Sequence, residues 1–109
     1  MESFAVELTQ GAARDLEEIY DYLAENRRSE DAAALLDSFL ERVETLEYFP
    51  MRGVVPREME ALGLTEFRQI LLPPYRLIYR VTGQVVHVLL VADGRRDMQS
   101  LLQRRLLGG

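Results

Sequence analysis

Thirteen basic side chains stand in this 109-residue chain, and every one of them is arginine. A guanidinium keeps its proton near neutral pH, whereas a buried lysine can lose its own. Acid–base chemistry therefore falls to a carboxylate, a tyrosine or the single histidine, His87. Five arginines gather in the second half: Arg68, Arg76, Arg80, Arg95 and Arg96. Arg76 and Arg80 lie in an alternating apolar–polar stretch, which puts both on one face of a strand. If the neighbouring strand is antiparallel, Arg68 can reach that face, while Arg95 and Arg96 sit at a strand-to-helix corner beside it. Fixed guanidinium groups on an open sheet suit contact with phosphate or carboxylate. The same five also read as solvated charges that discourage edge pairing.

The other polar groups point to structure. His87 falls inside an apolar strand, where a lone histidine is usually structural or at the surface. With no cysteine and no spaced carboxylate–histidine motif, neither a metal nor a cofactor is expected. Tyr20, Tyr22, Tyr48, Tyr75 and Tyr79 fall on apolar stripes and are expected to be packing anchors. Asp15, Glu17, Glu18, Asp21 and Glu25 read as the solvated face of a helix. No phosphate-binding glycine loop, nucleophile elbow or zinc motif is present. No catalytic residue can be named.

The elements that must position these groups follow from periodicity. Phe4–Leu8 alternates and predicts a short strand. Thr9 can cap a helix whose apolar residues, Ala12, Ala13, Leu16, Ile19, Tyr20 and Leu23, recur at helical spacing to about Asn26. Ser29 can cap a second helix with the stripe Ala32, Leu35, Leu36, Phe39, Val43 and Leu46, stopped by Pro50 and Gly53. So short a link makes the two helices antiparallel. Residues 54–66 show little period and read as an irregular connection. Three strands follow: Phe67–Leu72, Tyr75–Val81 and Gln84–Ala92, the last apolar on both sides and so covered on both faces. Pro73-Pro74 and Thr82-Gly83 supply the turns, and Asp97 caps a last helix from Met98 to about Leu107. The expected fold is α+β, in the order β-α-α-β-β-β-α. It has an antiparallel sheet, a helical hairpin on one face and a short C-terminal helix. The tyrosine side of Tyr75–Val81 should face the helices and its arginine side should face away.

One domain over residues 1–109 is what this length allows. The N-terminus lacks a basic region leading into an apolar run, and no stretch approaches the roughly 18 apolar residues of a membrane span. A soluble cytoplasmic protein is expected. The net charge of −5 is unevenly spread: residues 1–47 hold 13 acids and 4 arginines, a net of −9, and residues 48–109 hold 5 acids and 9 arginines, a net of +4. The basic half is where an acidic or anionic partner is expected.

Four strings in order resemble the RelE/ParE toxin superfamily, and the ParE-like branch in particular. They are Ala12-Ala13-Arg14-Asp15-Leu16 running on to Ile19-Tyr20, the exit Phe49-Pro50-Met51-Arg52-Gly53, the strand Tyr75-Arg76-Leu77-Ile78-Tyr79-Arg80-Val81, and the corner Gly94-Arg95-Arg96-Asp97. The resemblance implies the toxin half of a bacterial type II toxin–antitoxin pair, neutralised by a cognate antitoxin. ParE-like members are associated with poisoning DNA gyrase, whereas RelE-like members cut mRNA on the ribosome. Arg76 and Arg96 match phosphate-binding arginines of the RelE-like enzymes. The positions that supply lysines there hold Arg68 and Ile70, and Leu102 stands where a tyrosine is expected. RNA cleavage needs a base and an acid as well as cations, so the implied activity is inhibition by binding. A ribosome-dependent endonuclease and a non-toxic remnant that only binds antitoxin are the alternatives. The antitoxin contact is expected to be an acidic tail on Arg68, Arg76, Arg80 and Arg96, with apolar residues in the helix–sheet groove.

Overall fold

A computed structural model describes residues 3–108. The ends of the expected domain, Met1, Glu2 and Gly109, lie outside the described residues. In chain order the elements are β1 (Ala5–Leu8), α1 (Gln10–Asn26), α2 (Ser29–Tyr48), α3 (Arg57–Glu60), β2 (Phe67–Leu72), β3 (Tyr75–Thr82), β4 (Val85–Asp93) and α4 (Met98–Leu106). The mixed α+β order read from the sequence is recovered, with one turn of helix, α3, inside the segment expected to be irregular.

The caps explain where helices begin. Thr9 accepts from the Ala12 N–H at 3.2 Å and starts α1. Asp97 accepts from the Ser100 N–H at 3.2 Å and starts α4. Ser29 does not cap α2: the N-cap is Arg28, whose own N–H donates to the Asp31 carboxylate at 3.3 Å. The hairpin turn also falls one residue late, at Gly83-Gln84, with Gly83 at φ +60.

The sheet order is β1-β4-β3-β2. β2–β3 and β3–β4 are antiparallel, as tight turns require, but β1 runs parallel to β4. The sheet is therefore mixed and not purely antiparallel. Two-residue turns force antiparallel neighbours, whereas the long helical crossover that leaves β1 permits a parallel one. Ile78 pairs with Leu90 and Tyr79 with Val88, so Leu89 is an extra residue that bulges β4.

Both faces of the sheet are covered. The helical hairpin packs Leu35, Phe39 and Leu46 against Ile70, Leu77, Tyr79, Val88 and Val91. On the opposite face Met59, Met98, Leu101 and Leu102 close over Phe67, Ile78, Leu90 and Ala92. The arginine side of β3 was expected to look outward, but α3 and α4 lie over much of it. Of the five tyrosines, Tyr79 is fully buried and Tyr75 half-buried, whereas Tyr20, Tyr22 and Tyr48 are exposed and do not anchor the core.

Candidate functional site

The five arginines do not form one patch. Arg68 pairs in register with Tyr79, so it lies on the helical-hairpin side of the sheet and not with Arg76 and Arg80. Its guanidinium donates to the backbone carbonyls of Gly53 at 2.7 Å and Met51 at 3.3 Å. Arg76 is held bidentately by Glu58 from α3, both bonds 2.8 Å, and also donates to Gln69 at 2.7 Å. Its side chain is 11% exposed and that of Glu58 14%. The guanidinium holds the Glu58 carboxyl down at about 2. Arg95 closes on Asp93 at 2.6 and 2.9 Å, and its hydrogen bonds hold the Asp93 carboxyl at about 2. Arg80 and Arg96 are exposed, and the described structure gives neither an ion pair. Arg80 lies over the Phe67 ring, 6.0 Å from its centroid.

His87 faces Arg80 across β3–β4 and is half-buried. Leu102 is 1% exposed and Ile70 6%, so both are core positions with no access to a ligand. Among the described residues no group of three or more histidines or carboxylates is placed to hold a metal ion.

The recurring strings turn out to be joints. The Tyr79 hydroxyl accepts from the Gly53 N–H at 2.9 Å, tying the exit of α2 to the middle of β3. A Cβ on Gly53 would stand 2.6 Å from that oxygen and 2.7 Å from the Gln69 carbonyl, so only glycine fits. A Cβ on Gly94 would come within 3.1 Å of the Arg76 side chain. Asp15 accepts from the Val91 N–H at 3.1 Å and pairs with Arg105 at 2.9 and 3.0 Å. Asp15 is thus no member of a solvated face. Periodicity sees one helix at a time and missed Glu58, Asp15 and Arg105, whose partners are distant in sequence.

A sequence profile described as "ParE toxin of type II toxin-antitoxin system, parDE" matches residues 6–98. The chain belongs to the ParE toxin family. Among solved structures it is similar to the "Chromosomal ParDE TA system from P. aeruginosa". That match has 22% identity and a TM-score of 0.67, and covers 84% of this chain and 96% of that one. At this identity the likeness concerns the fold. No curated protein matches in sequence. Within this ParE-family fold a cleft of about 610 Å³ opens between α1 and the ends of β3 and β4. Arg95 and Arg96 border it, and so does Arg27, which the sequence did not single out. Tyr75 lines it, and burial, followed by the nearby Asp93, pushes its hydroxyl up from the usual phenol range.

Proposed function

We propose that this chain is a growth-inhibiting toxin that acts as one domain, by binding and not by cleaving RNA. DNA gyrase is its target and a cognate antitoxin keeps it silent. The observation that carries the reading is the state of Arg76. Its guanidinium fork is filled by Glu58, in a contact that is largely screened from solvent. An arginine held this way is poorly placed to take a scissile phosphate. The positions where RelE-like enzymes carry lysines and a tyrosine support the same conclusion. Arg68 is spent on backbone carbonyls, and Ile70 and Leu102 belong to the two cores. Target contacts are assigned to the exposed guanidiniums of Arg80 and Arg96. The antitoxin partner follows from family membership and from the toxin–antitoxin title of the similar structure.

Two assays run side by side test this. Added to a translating ribosome extract, the protein is expected to leave mRNA intact. Added to gyrase, it is expected to lower supercoiling. Codon-dependent cleavage in the extract, abolished by Arg76→Ala, would overturn the binding reading.

A further inference from the structure

We propose that the open end of the sheet, on the face away from the helical hairpin, binds a single-stranded polynucleotide through Arg80 and His87. This goes beyond the toxin reading and depends on neither gyrase nor the antitoxin. Strand register carries it. Glu7 pairs with His87, His87 with Arg80 and Arg80 with Phe67, so each of the four strands gives one residue to a single row. Neighbours in such a row share a face, and three strand spacings make it about 14 Å long. Val6, Leu8, Val86, Val88 and Tyr79 alternate with these residues and pack toward the hairpin, so the row points the other way. On that side Met59, Met98, Leu101 and Leu102 close over Phe67, Ile78 and Leu90 but leave the rest of the row uncovered. Glu7 and Arg80 are exposed and His87 is half-buried.

The row's chemistry selects its ligand. Arg80 lies over the Phe67 ring, which steadies the guanidinium from below. Among the described residues it has no ion pair, so its N–H groups and its outer plane are open. A guanidinium donates through its N–H groups to phosphate and stacks a base on its plane. His87, directly opposite on β4, presents an imidazole N–H to the same phosphate. One phosphate and one adjoining base thus find partners on neighbouring strands. An open sheet face suits a chain that runs along it, whereas a small ligand needs enclosing walls.

The chain's net charge of −5 opposes any polyanion, but that charge is not where the row is. The acidic hairpin lies behind the sheet, and α4, on the row's own side, ends in Arg104 and Arg105. Within the row only Glu7 repels a phosphate. Its removal should therefore strengthen binding, a sign that a merely structural charge ladder would not give.

Fluorescence anisotropy of the full chain with labelled oligothymidylate tests this. Arg80→Gln is expected to weaken binding more than about tenfold and His87→Gln about threefold. Glu7→Gln is expected to tighten it about threefold. Arg14→Gln, an exposed change on α1 behind the sheet, should leave it within about twofold. The same strand annealed into a duplex should bind at least about tenfold more weakly, because paired bases cannot stack on Arg80. One or two phosphate contacts predict a slope of about −0.7 to −1.4 in log affinity against log salt. No binding at about 0.05 M salt, equal losses in Arg14→Gln and Arg80→Gln, or weaker binding in Glu7→Gln overturns the proposal. So does an affinity for tripolyphosphate equal to that for the oligonucleotide, which would make the row a simple anion site. Each of these results leaves the gyrase and antitoxin reading untouched, since neither protein is in the assay.

Discussion

Tyr79 and Arg80 are neighbours with opposite tasks. Tyr79 is 0% exposed and its hydroxyl holds the Gly53 N–H, whereas Arg80 is exposed above Phe67. Tyr79→Ala is expected to cost about 3–5 kcal/mol by cavity formation and loss of that bond. Arg80→Ala is expected to change stability by under about 0.5 kcal/mol, as for other surface positions. Urea titration of both variants checks the pair, and equal losses would contradict the register of β3. Alternation made this contrast legible in the sequence. The Glu58–Arg76 joint was not legible, because Glu58 sits in a segment without period, 18 residues from its partner. It has a pH signature. The Glu58 carboxyl falls from the ordinary 4.5 to about 2 on folding, so its contribution is present above pH 4.5 and drains away as pH drops toward 2. Glu58→Gln is therefore expected to be less stable than the parent at pH 7, by about 1–3 kcal/mol. The gap should close as both are titrated down to about pH 2; a gap that is constant with pH would contradict the ion pair.

β4 outruns its neighbour. β1 ends at Leu8, opposite Val88, so β4 continues past it with an open edge on that side. Side chains close that edge. Thr9 donates to the Val88 carbonyl at 3.1 Å, Arg105 to the Leu89 carbonyl at 3.3 Å, and Asp15 accepts from the Val91 N–H. Three side chains from two elements, α1 with its cap and α4, thus supply what a longer β1 would have supplied, and the bulge at Leu89 falls within the closed stretch. Element types and order were legible from period and caps. The edge closure was not, since Asp15 and Arg105 are 90 residues apart and each looked like an ordinary helix charge. Asp15→Ala strands both the Val91 N–H and the partly buried Arg105, and is expected to cost about 3 kcal/mol. In a double-mutant cycle with Arg105→Ala, the coupling should exceed about 1 kcal/mol. Hydrogen exchange gives the local readout: the Val91 amide should lose protection in Asp15→Ala by far more than the amides of β2. Uniform loss across the sheet would mean that Asp15 acts only through global stability.

The charge asymmetry survives folding. Among the described residues one ion pair, Asp15–Arg105, joins the acidic first half to the basic second, while Glu58–Arg76 and Asp93–Arg95 neutralise charges within the second half itself. The first half, residues 1–47, therefore keeps most of its net −9, and the helical hairpin carries the larger part of it. Within it Glu17–Asp21, Asp21–Glu25 and Asp37–Glu41 are like charges one turn apart, each costing about 0.2–0.5 kcal/mol. Segment composition made this pole legible, yet it misplaced the cationic surface, because counting arginines cannot tell one bound to its own chain from one that is open. Salt should consequently act with opposite signs on two properties of the same molecule. Shortening the Debye length from about 30 Å at 0.01 M to about 8 Å at 0.15 M screens repulsion within the hairpin, so the melting temperature of the isolated protein should rise. The same change screens attraction between Arg96 and an incoming carboxylate, so association with the antitoxin should slow. Asp21→Arg turns two repulsive contacts into attractive ones and should flatten the salt dependence of melting, leaving that of association in place. A melting temperature that falls as salt is added, or an Asp21→Arg variant whose melting depends on salt as the parent's does, would show that self-repulsion in the hairpin is not what the charge asymmetry costs.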